Sequence, residues 1–228
     1  MILLRNLIFY FIFYLWTVLF FVIFSPVKLF SRKFLLFLSN LWTKKVIEIT
    51  QKILKIDYEL IGTQNIPREK SYLITSNHQS AWETFFLSFF FKGSIFILKE
   101  ELKNIPLMSL YFKELGFIFI DRNSGFKSIK NIILSIKNLE ERGVRKFIIF
   151  PEGTRIPINS KGKINPGVFA IHKILKIPVL PVKHNSGKYW RNKRFIKEPG
   201  KIKVEFYPVI KKTYNRRLFM EKIEKIFY

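Results

Sequence analysis

None of the 228 residues is cysteine, which removes disulfides, thiolate nucleophiles, zinc fingers and iron–sulfur clusters. Negative charge is also scarce. Sixteen Asp and Glu stand against forty Lys and Arg, a formal net charge of +24. That excess favours anionic partners such as nucleic acid, acidic phospholipid or phosphorylated metabolites. Part of it has a blander source, because Lys, Ile, Phe and Asn are abundant together, as AT-rich coding produces. There is no internal repeat, low-complexity tract or long linker, and no G-x-S-x-G elbow for a serine nucleophile. Nor is there a zinc-finger, RRM or KH signature, and the basic residues are spread widely, so nucleic acid is not the expected partner. Hydrophobic residues nevertheless make up 49% of the chain. A very basic and very apolar protein points to a membrane surface.

The apolar residues are concentrated first at the N-terminus. Leu7 to Phe24 is an unbroken run of 18 uncharged, proline-free residues, within the ~17–25 that cross a hydrocarbon core. No small-residue cleavage site follows it, which argues against a secretory signal. A Pro break and three cations, "SPVKLFSRK", lead into a second apolar stretch, Phe34 to Trp42, too short to span. The two pieces predict a helical hairpin inserted from one side and anchored by Trp16, Trp42 and the surrounding lysines. Lys28, Arg32, Lys33, Lys44 and Lys45 outnumber the single Arg5 ahead of the run, so the remainder is expected on the cytoplasmic face.

Beyond about residue 50, short β-type runs alternate with helical segments. Strands are predicted at 71–75, 94–98, 116–121, 146–150, 177–182 and 201–207. Helices are predicted at 80–91, 105–114, 125–142 and 167–176, with an amphipathic helix closing the chain. This alternation predicts an α/β fold with a largely parallel sheet and flanking helices, preceded by the membrane-inserted hairpin. The division is residues 1–50 for the hairpin and 51–228 for the α/β domain.

Parallel sheets carry their sites at the carboxyl ends of strands, and the polar clusters sit there. "SNHQSAWE" follows one strand, "DR" another, "PEGTR" a third. His78 is a natural general base, and Glu83 can fix its tautomer and stabilise the imidazolium. Five positions apart on one helix they would point ~140° away from each other. They meet if His78 sits in the strand-to-helix turn and Glu83 in the first helical turn, with Ser80 as the cap. His172 and His184 lack this setting and read as structural or surface. In "FPEGTR", Gly153 lets backbone approach a ligand, Thr154 offers a hydroxyl and Arg155 a fork suited to phosphate. Glu152 can accept from substrate hydroxyls or from Arg155. Arg122 and Lys99, at two further strand ends, are additional phosphate contacts. A loop histidine, a Pro-Gly turn and solvated cations would account for each cluster singly.

Taken together and in order, "NHQSAWE", "GFIFIDR", "FPEGTR" and "IPVLPV" resemble the four blocks of the glycerolipid acyltransferase family, most closely its 1-acylglycerol-3-phosphate O-acyltransferases. The blocks run from about Asn77 to Val182, nearly half the chain. Family members mostly have Asp where Glu83 stands here. The resemblance implies direct transfer of an acyl chain from acyl-CoA or acyl carrier protein, as co-substrate, to the sn-2 hydroxyl of lysophosphatidic acid. It implies His78 and Glu83 as catalytic residues and Arg122, Glu152, Gly153, Thr154 and Arg155 as the substrate-binding set, with Lys99 assisting. No cofactor or metal is implied, and no covalent acyl-enzyme. The expected partners are the phospholipid membrane, the lysolipid and the thioester donor. Transfer to glycerol 3-phosphate or another lysolipid is the alternative within the class. A non-catalytic, basic, membrane-anchored binding protein is the alternative outside it.

Overall fold

The computed structural model describes residues 1–68, 71–105, 108–121, 125–211 and 215–228. Two long helices open the chain, α1 (Ile2–Ile23) and α2 (Arg32–Ile49), joined through Pro26 and a short 3₁₀ turn. Seven strands follow: β1 (Ile56–Ile61), β2 (Tyr72–Ser76), β3 (Ile95–Lys99), β4 (Ile118–Ile120), β5 (Lys146–Ile149), β6 (Val179–His184) and β7 (Gly200–Phe206). The later helices are α3 (Trp82–Phe90), α4 (Met108–Leu115), α5 (Gly125–Glu141), α6 (Gly167–Leu175) and α7 (Arg216–Phe227).

The strands form one sheet in the order β1-β7-β6-β2-β5-β3-β4. All neighbours are parallel except β6 and β7, which pair antiparallel. The sheet is therefore largely parallel, as its alternation with helices predicts. Every residue of β2 is buried, the continuous apolar pattern of a strand covered on both faces. β1 falls outside the predicted strands. Its Asp57 and Glu59 alternate with apolar residues, the pattern of an edge strand with one solvated face, and its burial alternates accordingly.

Alternate residues of each central strand feed two cores. Leu73, Phe147, Ile149 and Val179 join a cluster with α5, α6 and α7. Tyr72, Ile74, Ile148 and Leu180 join a second cluster with α3 and with Phe9, Ile47 and Leu54 from the N-terminal segment. The hairpin adds a third cluster, in which Phe20, Leu35, Leu38 and Trp42 pack with Tyr111 and Leu115 of α4. Sequence reading gives the second helix only nine residues. It runs further because Thr43, Val46, Ile47, Thr50 and Leu54 continue a buried stripe at helical spacing, through a wide π-type turn over Thr50–Leu54.

α1 is long and apolar enough to cross a membrane, yet one side of it is fastened to the α/β body from end to end. The fully buried Asn6 accepts from the Lys197 N–H at 2.8 Å and donates to the Lys197 carbonyl at 3.1 Å. Phe9 meets Trp190 edge-on at 5.4 Å, Phe13 lies 6.1 Å from Phe85, and Phe21 meets Tyr111 at 4.9 Å. The opposite face, including Leu4, Phe11, Val18 and Val22, is exposed. Asn6→Ala leaves a buried N–H and a buried C=O unpaired, each costing ~1–3 kcal/mol. The expected result is faster hydrogen exchange at the Lys197 amide and across residues 190–199, with exchange in β2 unchanged.

Candidate active site

The polypeptide leaves β2 at Ser76 and enters α3 at Trp82, and the intervening turn carries His78 at the carboxyl edge of the sheet. The local sequence "SAWE" (80–83) closes a reciprocal pair of bonds, close to a capping box, at the start of α3, whose N-cap position is Ala81. The Ser80 hydroxyl accepts from the Trp82 N–H at 3.0 Å, and the Glu83 carboxylate reaches back to the Ser80 N–H at 2.7 Å. The same Glu83 oxygen, Oε1, accepts from the Gln79 N–H at 2.8 Å and lies 2.8 Å from His78 Nδ1. A carboxylate only accepts, so Nδ1 carries the imidazole proton and Nε2 is left with its lone pair. Glu83 Oε2 accepts from the hydroxyls of Ser80 and, at 2.8 Å, Ser186.

Glu83 is wholly buried. Burial alone would raise its pKa, but the imidazoles of His184 and His78 and the hydrogen bonds outweigh it and hold the carboxyl well below its ordinary range. Glu83 is therefore ionised, and the His78 side chain beside it keeps 16% exposure, enough to be reached from solvent.

Two further segments wall the turn. His184, at the end of β6, is buried. Its backbone N–H donates to Asn77 Oδ1 at 2.9 Å, its carbonyl accepts from Asn77 Nδ2 at 2.9 Å, and its Nε2 lies 2.8 Å from the Asn77 carbonyl. Burial lowers its pKa. Of the two readings its sequence setting allows, structural or surface, its burial excludes the surface one. On the other side, residues 150–156 grip His78 at three points. Glu152 Oε2 accepts from the His78 N–H at 2.6 Å, Ile156 N–H donates to the His78 carbonyl at 2.7 Å, and the Phe150 ring stacks on the imidazole at 4.2 Å and 17°.

The expected site residues divide accordingly. His78 and Glu83 are brought into contact. Glu152 is held against the His78 backbone, and its other oxygen accepts from the Tyr228 hydroxyl, whereas the sequence suggests substrate hydroxyls or Arg155 as its donors. Gly153 adopts φ 71°, the left-handed conformation glycine takes most readily. Thr154 and Arg155 are exposed beside this turn, with Arg155 Nη1 donating to Asn192 Oδ1 at 3.1 Å. Lys99 is half-buried at the end of β3, two strands from β2 on the same edge. Arg122 lies outside the described residues. Ser80 apart, sequence reading gives no role to Asn77, Ser186 or Tyr228. "KHNS" after "IPVLPV" is a fourth polar cluster at a strand end and was the available signal for Ser186.

The acyltransferase family model matches residues 57–185. The chain is 36% identical over 210 residues to the 1-acyl-sn-glycerol-3-phosphate acyltransferase of Pseudomonas aeruginosa, covering 90% of this chain and 80% of that protein. It is 28% identical over 137 residues to the Saccharomyces cerevisiae protein of the same name, covering 59% of this chain and 45% of that one. The crystal structure of the 1-acyl-sn-glycerophosphate (LPA) acyltransferase PlsC from Thermotoga maritima superposes with a TM-score of 0.80 at 24% identity, covering 99% of this chain and 94% of that one.

Burial, the largest influence, raises the Glu152 pKa to about 7; the hydrogen bonds from Tyr228 and the His78 N–H oppose it, and nearby Glu83 adds to the rise. Below about pH 4.5 the carboxyl is protonated in folded and unfolded chains alike, and its contribution to stability is fully present. The unfolded chain loses the proton first as pH rises, so that contribution is lost progressively up to about pH 7. Glu152→Gln keeps an acceptor for the His78 N–H and cannot ionise. Its melting temperature should match wild type near pH 4 and exceed it at pH 8, by a stability difference of up to ~3 kcal/mol. A constant difference across that range would contradict the assignment.

Proposed function

The chain belongs to the acyltransferase family, and from that premise we propose that it transfers an acyl chain from a thioester donor to the sn-2 hydroxyl of 1-acylglycerol 3-phosphate, giving phosphatidic acid for phospholipid synthesis. The observation that carries the reading is the His78–Glu83 pair, with Nδ1 committed to the carboxylate and Nε2 left as the base. Nε2 takes the proton of the sn-2 hydroxyl as its oxygen attacks the thioester carbonyl carbon. Glu83, ionised and fixed by four other donors, stabilises the imidazolium without moving. The tetrahedral oxyanion then collapses, the carbon–sulfur bond breaks, and the departing thiolate takes the proton from Nε2. No protein nucleophile is acylated in this scheme. Thr154, Arg155 and Lys99 supply the cationic and hydroxyl-bearing edge for the glycerol phosphate, and the family resemblance adds Arg122, which lies outside the described residues, as a further phosphate contact. Acyl-CoA and acyl carrier protein are the two donors the chemistry accepts.

An apolar cleft between the hairpin, α3, α4 and the sheet offers a place for acyl chain. Its lining includes Trp42, Phe85, Phe96, Tyr111 and Phe117. It approaches the base through rings: Phe96 lies 6.3 Å from Phe150, which stacks on His78.

The same reading supplies a membrane geometry. A helix of 22 residues is ~33 Å long, but α1 is fastened to the α/β body from Asn6 to Phe21. It cannot stand across a bilayer without drawing that body in. We therefore place the hairpin flat in one leaflet, exposed apolar face down, with the catalytic domain on the cytoplasmic side where a thioester donor resides. Near the start of α1, exposed Phe195 stacks on Tyr10 at 4.7 Å beside Arg191, Lys193 and Arg194. That combination of aromatic and cationic side chains suits anionic headgroups.

The test is transfer of labelled acyl chains into lysophosphatidic acid from acyl-CoA and from acyl carrier protein, with detergent-solubilised protein. His78→Ala should lower kcat by ~10²–10⁴-fold with its melting temperature preserved. The donor comparison selects the thioester. Full turnover in His78→Ala would remove His78 as the base, and no transfer by wild type from either donor would direct the assay to glycerol 3-phosphate and other lysolipids.

A further inference from the structure

We infer that Tyr228 is a positioning residue for the reaction: by donating its hydroxyl to Glu152 it holds that carboxylate against the His78 backbone N–H, and so sets where the base stands. The inference rests on the reading of His78 as the base. The contact spans distant parts of the chain. Tyr228 follows α7, whereas Glu152 lies just past β5, and the hydroxyl meets Glu152 Oε1 while Oε2 receives the His78 N–H.

The arrangement is specific for geometric reasons. The terminal torsion of a glutamate is broad and nearly two-fold, so one hydrogen bond does not fix the plane of its carboxylate. Two donors, one on each oxygen, do. Two of the three grips that residues 150–156 have on His78 are made by side chains, the Phe150 ring and the Glu152 carboxylate, and of these the carboxylate has a second oxygen that another donor reaches. It is therefore the one that a second side chain can tune. Tyr228 is itself well placed to do this. α7 is not a loose end: Phe219, Ile223, Ile226 and Phe227 are buried in the core formed with α5 and α6, and Phe219 stacks on His172 at 5.2 Å. The hydroxyl sits under the backbone of Gly162, so close that a Cβ there would lie 2.8 Å from it. The 156–165 connection has left this space where any larger residue would intrude. A hydroxyl in a fitted niche, on a packed helix, aimed at a carboxylate that holds the base's own peptide group, is a support for the site and not a surface contact.

The experiment uses the full chain in detergent. Tyr228→Phe removes only the hydroxyl. A hydrogen bond to a charged group that is lost on one side should reduce kcat about tenfold, with KM for both substrates within about twofold and a modestly lower melting temperature, because a Glu152 oxygen loses its donor. A residue serving stability alone would move the melting temperature and leave kcat; a residue touching substrate would move KM. In a Glu152→Ala background the same substitution should have no further effect on kcat, because the group it acts through is gone. Hydrogen exchange at the His78 amide gives a readout independent of that background, and should be about tenfold faster in Tyr228→Phe while amides of α6 are unchanged. Unaltered kcat, an equal loss with Glu152→Ala present, or unaltered exchange at His78 would each overturn the inference. His78→Ala assayed alongside separates the two claims. Full turnover there overturns the base assignment underneath, whereas its loss combined with normal turnover in Tyr228→Phe overturns the role of Tyr228 alone.

Discussion

A carboxylate with no exposed surface must be surrounded by donors or it takes up a proton, and Glu83 is surrounded on every side. Two backbone N–H groups, two serine hydroxyls and the His78 imidazole converge on its two oxygens. Those donors come from two strand ends, β2 and β6, so the carboxylate can be satisfied only when the sheet has formed in its correct order. One interaction thereby ties helix initiation, sheet topology and the orientation of the base together. The reciprocal pair of bonds that starts α3 is also the device that fixes the tautomer of His78. Glu83 serves both tasks through one oxygen, Oε1, which meets the Ser80 N–H and His78 Nδ1.

The N-terminal hairpin obeys a comparable double constraint. A surface helix needs one apolar face and a membrane helix needs a full apolar circumference, and α1 has the second while using part of it as the first. Phe9 and Phe20 are core residues, and Asn6, fully buried on the inner face, is paired on both sides of its amide with the Lys197 backbone. Nearby, the buried Lys197 ammonium donates to the carbonyls of Arg191 and Arg194 and lies over the Trp190 ring, which stiffens the loop that α1 grips. The exposed apolar face and the floor of the apolar cleft are then two sides of one helix pair.

Much of this was legible in sequence because parallel strands buried on both faces announce themselves as continuous apolar runs. β2, β3, β5 and β6 did so, and the polar residues immediately after them marked the edge where His78, Lys99 and Glu152 lie. β1 was missed because its charges alternate with apolar residues. The length of α2 was missed because its last turns are amphipathic rather than uniformly apolar. At the site, the "SAWE" capping-box pattern was there to be read and places Glu83 in the first helical turn. Ser186 and Tyr228 were not legible in the same way. The "KHNS" cluster marks Ser186 only as a strand-end residue and nothing local marks Tyr228, while their partners, Glu83 and Glu152, are 103 and 76 residues away. Long-range side-chain pairs of this kind follow from topology, and topology is what a list of strands and helices leaves open.

The two site glutamates are treated in opposite ways, and the difference explains their roles. Glu83 is given enough donors that its charge is stable in a dry place, and one of them is the His78 imidazole. Glu152 receives only two, and burial raises its pKa to about 7, so the fold bears a cost whenever it is ionised. A core position chosen for stability alone would favour a neutral residue. The two oxygens of Glu152 take the His78 N–H on one side and the Tyr228 hydroxyl on the other. Stability is given up at Glu152, and what stands in exchange is a carboxyl bonded on both oxygens, one of them holding the His78 backbone.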